Sequence, residues 1–235
     1  MNSGFLKKKF FLSPLLFFSH LLCSQDFEKG DLVVSGSIGF THLNKTNAKR
    51  QVNGEAFKNS FRGTSQKISV KGTNPISLKY EYALTKRFGL GLSISWWSVL
   101  VNVKDYYSTG TGSDLKDQVD TYDYKMTSVS FGIRPNYHIP IQDKKADLFF
   151  GCAFGLAKND MSVTFSSTQS TGVIRGSFFE LNIPNTLYIA PTLGYRRYLT
   201  SNFGLNLELG YEKGAVVLAG IVFRFRPLKY EPPDN

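Results

Sequence analysis

A hydroxyl nucleophile needs a base beside it, most often histidine, so the histidines are the first residues to place. The sequence holds three, His20, His42 and His138. His20 falls in an N-terminal segment read below as a removable leader, which leaves two. Ser108, Ser113 and Asp114 offer hydroxyls and a carboxylate in one stretch, yet no compact Ser/His motif joins them to either ring. Two histidines this distant in sequence are a poor start for a metal centre. Of the two cysteines, Cys23 leaves with the leader and Cys152 stands alone, so neither an internal disulfide nor a cysteine-built zinc site is open to the chain. "GLGLS" and "STGTGS" are glycine-rich but do not have the spacing of a phosphate-cradling loop. No catalytic residue, no cofactor and no metal is expected.

Charge is the more informative chemistry. The formal net charge is +10, with a pI near 9.5. Lys45, Lys49, Arg50, Lys58, Arg62, Lys67 and Lys71 crowd between Asn44 and Lys71, opposed by Glu55 alone. A cluster of this kind attracts anionic surfaces. A second group, Lys79, Glu81, Arg134, His138, Arg196, Glu208 and Arg224, is of mixed sign and recurs inside apolar stretches. Such charges are tolerable out of water only when paired.

Both groups need elements to hold them. The N-terminus carries Lys7–Lys9, then an apolar run from Phe10 to Leu22, then small or polar residues at Cys23, Ser24 and Gln25. That is the layout of a secretory signal peptide, too short to span a bilayer as a helix, with cleavage expected near Ser24. Removing its three lysines lowers the formal charge from +10 to about +7. Nucleic acid is therefore not an expected partner despite the basic balance. From Asp31 to Arg226 the dominant pattern is period-2 alternation, with no convincing amphipathic helix. "FGLGLSISWW" sets Phe88, Leu90, Leu92, Ile94 and Trp96 against Gly89, Gly91, Ser93, Ser95 and Trp97. Alternation of this strength marks strands. Eight are expected: Asp31–Leu43, Ser69–Ala83, Phe88–Val103, Asp123–Ile139, Asp147–Phe165, Thr186–Leu199, Phe203–Glu212 and Ala215–Arg226. Their links alternate short and long, as in an up-and-down meander with unlike rims.

Two closed eight-stranded architectures fit, and they differ in which face is inside. A lipocalin-like barrel is apolar within and soluble; a membrane barrel is the reverse. The minority face here is Gly, Ala and Ser with scattered charges of both signs, which suits a narrow bore filled by side chains. On strand phase Lys79, Glu81, Arg134, Arg196, Glu208 and Arg224 point into that bore, with Glu81 or Glu208 facing Arg134 or Arg196. Aromatics gather near strand ends (Trp96, Trp97, Tyr106, Tyr107, Tyr122, Tyr124, Tyr137, Tyr195, Tyr198, Phe223, Phe225), as bilayer interfaces favour. The expectation is an all-β, eight-stranded antiparallel up-and-down transmembrane β-barrel.

"GIVFRF" near the C-terminus resembles the closing signature of bacterial outer-membrane barrels, with Gly220, Phe223 and Phe225 at the matching positions. Leu218 stands where that pattern prefers a polar residue, and ten residues follow Phe225. Over roughly Asp31 to Arg226 the chain resembles the small OmpA-like or "outer membrane protein β-barrel" families of Gram-negative bacteria. The resemblance implies that these three residues are read by the barrel-assembly machinery, and that the protein resides in the outer membrane with its long loops outside. The expected division is a signal peptide at 1–24, a periplasmic lead at 25–30, the barrel at 31–226 and a short periplasmic tail at 227–235. The expected partners are outer-membrane lipids and lipopolysaccharide, the latter through Lys45, Lys49, Arg50, Lys58 and Arg62. The expected role is structural, adhesive or envelope-maintaining, and not that of a large pore. An accessory role in secretion or assembly, lipid A modification at His42, and a soluble lipocalin-like binder are the alternatives.

Overall fold

The computed structural model describes residues 27–63, 65–110, 116–167, 171–174, 186–212 and 214–227. The expected signal peptide and nearly all of the C-terminal tail lie outside the described residues. Among the described residues there are nine strands: β1 (Leu32–Phe40), β2 (Ser65–Ala83), β3 (Phe88–Thr109), β4 (Lys116–Ile139), β5 (Ala146–Ser167), β6 (Thr171–Ile174), β7 (Thr186–Tyr198), β8 (Phe203–Glu212) and β9 (Ala215–Phe225). Eight of them pair antiparallel in sequence order, and β9 returns to β1, so the sheet closes into an up-and-down ring. β6 stands outside the ring and extends the far end of β5, with Val163 opposite Ile174.

Alternation dictates the faces. Leu92, Phe150 and Leu207 point outward, 43%, 49% and 43% exposed, while Ser93, Ser95, Glu208 and Arg134 are buried within. The lipocalin-like alternative requires the opposite. The same rule corrects the expected set of interfacial aromatics. Neighbours on a strand point opposite ways, so Trp96 faces out while Trp97 is buried, and Tyr124 and Tyr198 are buried too.

The ring is uneven in height. β1, β8 and β9 have 9, 10 and 11 residues, whereas β3, β4 and β5 have 22, 24 and 22. At ~3.3 Å per residue β4 runs roughly 80 Å along its own axis. β2 to β5 thus form a tall wall on one side, and the link expected between Lys104 and Thr121 is mostly strand. β2 also breaks phase: its pairing with β3 shifts between Thr73 and Ile76, at Asn74 and Pro75. Proline has no amide to give the ladder and is tolerated at such bulges. Above the bulge, Lys67 and Lys71 face outward and Ile68 and Val70 face in.

The long link after β1 corrects the expectation of no helix. β1 ends at Phe40, and α1 (Leu43–Val52) and α2 (Glu55–Lys58) follow. Thr41 takes φ 63° between strand and helix. His42 caps α1, its Nδ1 accepting from the Lys45 amide at 3.4 Å. Lys49 and Arg50 sit in the last turn, where cations oppose the negative end of the helix dipole. Ala48, Val52 and Phe57 turn down into the bore and pack on Trp97, Val99, Val101, Val103, Tyr124, Met126 and Val163. The far part of the bore is therefore apolar, where small residues and ions were expected.

At the near end the turns repeat. Leu84-Thr85-Lys86-Arg87-Phe88-Gly89-Leu90 and Leu199-Thr200-Ser201-Asn202-Phe203-Gly204-Leu205 share five residues in register. In each, the threonine hydroxyl accepts the amide of the following phenylalanine at 3.0 Å. Each turn also bonds the next strand, Arg87 O to the His138 amide at 2.8 Å and Asn202 O to the Arg224 amide at 2.7 Å. The two hairpins stand on opposite sides of the ring.

Candidate functional site

The charged bore is the most elaborate polar constellation among the described residues, and strand phase builds it. Counting back three residues from the repeated leucines gives Glu81 on β2 and Arg196 on β7. These equivalent positions face each other across the axis, and Arg196 Nη2 lies 2.6 Å from Glu81 Oε2. Arg196 Nη1 reaches Asp147 at 3.1 Å. His138, wholly buried, fits between the same two carboxylates, its Nδ1 2.7 Å from Asp147 and its Nε2 2.7 Å from Glu81. Only an imidazolium can donate from both ring nitrogens.

A second group lies deeper in the barrel. Glu208 Oε2 accepts from Lys79 Nζ at 2.7 Å and Arg134 Nη2 at 2.6 Å. Glu212 Oε2 takes another Lys79 hydrogen at 2.5 Å. Arg134 also donates to Asn136 at 3.0 Å and Thr192 at 2.6 Å, and Asn206 donates to Glu208 Oε1 at 2.9 Å. Phe149 separates the groups, with the Arg196 guanidinium 4.1 Å and the Arg134 guanidinium 5.6 Å from its ring centroid. Its ring fills the space over Gly194, where an added Cβ would meet it at 2.0 Å. With His138 charged, Lys79, Arg134, His138 and Arg196 balance Glu81, Asp147, Glu208 and Glu212. This arrangement holds charge still; it presents no exposed nucleophile or base.

Of the expected lumen residues, Lys79, Glu81, Arg134, Arg196 and Glu208 are thus brought together. Arg224 lies nearer the turns, its guanidinium 3.9 Å from the Tyr198 ring centroid and its Nη2 bonded to Ser201 O at 2.8 Å. Asp147 and Glu212 complete the network and were not singled out from the sequence. Each sits at a strand end, where a charge reads as a boundary; continuing the phase from Glu208 to Glu212 would have found the second.

Below the network the bore is closed by Phe27, which belongs to the segment expected to be a periplasmic lead. Its ring stacks on His138 at 3.6 Å and 13°, and it packs with Val33, Ala83, Tyr198 and Val222. Asp31 beside it is buried. Burial raises its pKa, opposed by the Glu28 amide and the positive charge of Arg226, whose Nε lies 3.5 Å away.

The other sequence candidates are dispersed. Gly220, Phe223 and Phe225 lie on β9, both phenylalanines exposed and Gly220 pressed against β1, where a Cβ would meet Gly36 O at 1.9 Å. Lys49, Arg50, Lys58 and Arg62 are exposed on and after the two helices, and Lys45 is half-buried. His42 is spent as the helix cap, its ring edge-on to Trp97 at 5.7 Å. Burial holds its pKa below the usual value, and nearby Lys45 adds to the effect. Ser108 gives its hydrogen to Asp117 at 2.9 Å; Ser113 and Asp114 lie outside the described residues.

No family model matches the chain, and no curated protein matches it either. Three solved structures are similar in architecture. The N-terminal β-barrel domain of Pseudomonas aeruginosa OprF is 12% identical, over 84% of this chain and 98% of that one, with a TM-score of 0.39. The outer membrane protein OprG from Pseudomonas aeruginosa is 11% identical, over 87% and 100%, with a TM-score of 0.43. Ail, the attachment invasion locus protein of Yersinia pestis, is 15% identical, over 84% and 99%, with a TM-score of 0.36. The eight-stranded ring of the present chain rests on its own strand register.

Proposed function

We propose that the protein is an integral barrel of a bacterial outer membrane, with a structural, adhesive or envelope-maintaining role exerted by its tall, helix-capped end. One observation carries this reading: the large apolar side chains face out around the whole ring, while ion pairs fill its bore. A soluble protein rarely leaves a contiguous apolar surface of this extent to water. A belt of Leu, Ile and Phe flanked by Trp96, Tyr137, Tyr195 and Tyr211 suits hydrocarbon bounded by two interfaces. In this setting the short turns lie in the periplasm, β9 presents Gly220, Phe223 and Phe225 to the barrel-assembly machinery, and the helices and tall wall stand outside the cell. Lys45, Lys49, Arg50, Lys58 and Arg62 would then meet the anionic leaflet of lipopolysaccharide.

The reading assigns no catalytic step and no large pore, since the bore is occupied by its own side chains at three levels. Fractionation tests it. The protein should pellet with outer membranes, resist salt and alkaline extraction, require detergent, and migrate differently on gels before and after boiling. Recovery as a detergent-free soluble protein would end the proposal.

A further inference from the structure

The tall wall carries an unusual arrangement of lysines on its outward face. Its rungs follow from the register. Trp96, Val129 and Lys158 share one rung, and Ile94, Phe131 and Leu156 share the apolar rung below it. Trp96 therefore stands at the upper edge of the belt. Four residues higher, Lys71, Leu100 and Lys125 lie side by side on β2, β3 and β4. Four residues higher again, Lys67 on β2 is directly opposite Lys104 on β3. All five lysines are exposed, and among the described residues none makes an ion pair.

Like charges directly opposite each other destabilise a sheet. Lys67 and Lys104 accept that cost without an acid between them. Of the acids on the same face, Asp123 is engaged by the Asn102 amide at 2.6 Å and Asp117 by Ser108 at 2.9 Å, and Asp160 sits below, opposite Thr127. The face is short of anions where its lysines are closest.

Height says which anion. At ~3.3 Å per residue and a tilt of about 45°, four residues raise a side chain by roughly 9 Å. Lys71 and Lys125 stand about 9 Å above the belt edge, and Lys67 and Lys104 about 19 Å above it. The polar region of an ordinary phospholipid leaflet is only about 5–8 Å deep. The upper pair is out of its reach.

We propose that the outward face of β2, β3 and β4 is a docking surface for a phosphorylated glycolipid of the outer leaflet, lipopolysaccharide by chemistry. Lys71 and Lys125 take phosphates at the lipid level, and Lys67 and Lys104 take phosphates on the saccharide above. This rests on the membrane reading and goes past it, since these residues lie on the strands and not on the helical link.

The test uses the full mature protein in neutral phosphatidylcholine vesicles, with purified lipopolysaccharide as probe. Lys67→Gln, Lys71→Gln, Lys104→Gln and Lys125→Gln are combined in one variant. A second variant combines Lys49→Gln, Arg50→Gln, Lys58→Gln and Arg62→Gln. The strand variant should lose up to roughly a thousandfold in affinity, given four basic residues at about 1 kcal/mol each near an anionic surface. The helix variant should lose less. Phosphatase-treated lipopolysaccharide should bind the native protein as weakly as the strand variant binds the intact form. Undiminished binding by the strand variant overturns the proposal, as does an equal loss when phosphatidylglycerol vesicles replace lipopolysaccharide. Unboiled gel mobility confirms that each variant is folded. A native protein that fails to float with the vesicles overturns the membrane reading and this site together; one that floats but ignores the phosphates overturns this site alone.

Discussion

Glu208 holds two cations in a space that excludes water. Truncating it would leave Lys79 and Arg134 buried beside Glu212 alone, and breaking a buried pair from one side costs about 3–5 kcal/mol. Glu208→Ala should therefore lower the urea midpoint of the vesicle-inserted barrel sharply. Glu208→Gln, which keeps an acceptor of the same shape, should cost less than Glu208→Ala; equal losses would show that charge neutralisation rather than lost bonding is what matters. Gly194 tests packing in the same region. A methyl there must displace the Phe149 ring, which supports both guanidiniums, and overpacking of this kind costs about 1–3 kcal/mol. Gly194→Ala should be destabilised on refolding, and Gly194→Ala combined with Phe149→Leu should recover part of the loss. The inward phase of these charges was legible from alternation. Their partners at Asp147 and Glu212 were not, because a charge at the end of an apolar run is equally consistent with a strand stopping there.

At the level of elements, the near halves of the strands could be read closely and the far halves could not. Below Trp96 one face is mostly apolar and the other mostly small or charged, with Phe149, Val33 and Val222 as inward exceptions. Above it Val99, Val101 and Val103 turn inward, while Ser98, Leu100, Asn102 and Lys104 mix on the outside, so the contrast that marks a strand fades. The bulge at Asn74 and Pro75 also reverses the phase of β2, which single-phase counting cannot follow. α1 escaped notice because its downward face has just Ala48 and Val52, one turn apart, too few for a helical period to stand out. That helix has a built-in pH response. Burial keeps the pKa of His42 below that of an exposed histidine. A base depressed in the folded state binds fewer protons there than in the unfolded chain, so folding stability rises with pH. The helix cap should be fully stable above the unfolded value of about 6.5 and should loosen as pH falls below it. Amide protection in α1, taken relative to the intrinsic exchange rate at each pH, should fall between neutral pH and pH 5, with Trp97 emission shifting red in parallel. His42→Asn, which keeps a capping acceptor without titrating, should abolish the change; a native protein with pH-independent protection in α1 would refute this account of the cap.

For the whole molecule, closure occurs three times along one axis. Phe27 fills the near mouth, the ion pairs span the middle, and α1 and α2 cover an apolar chamber at the far end. The layers differ in chemistry, so each can be removed without the others. An eight-stranded ring leaves an interior that side chains can fill, and here the middle layer is held by fixed carboxylate–guanidinium contacts of 2.6 Å on both sides of Phe149. Ions crossing it would have to separate buried charges that have no water to replace their partners. The native protein in a planar bilayer should thus show no steady conductance. Replacing residues 43–58 with a short flexible linker should leave conductance absent, because the ionic layer remains, while exposing Trp97 to water and red-shifting its emission. Opening the ionic layer instead, with Lys79→Ala, Arg134→Ala, Glu208→Ala and Glu212→Ala together, removes equal numbers of each sign and preserves net balance. That variant should still not conduct while the Glu81, Asp147, His138 and Arg196 group and the Phe27 plug remain, and should conduct only when these and the helical cover are removed as well. Steady current through the native barrel, or through the variant lacking the helices alone, would show that the ion pairs do not seal the bore.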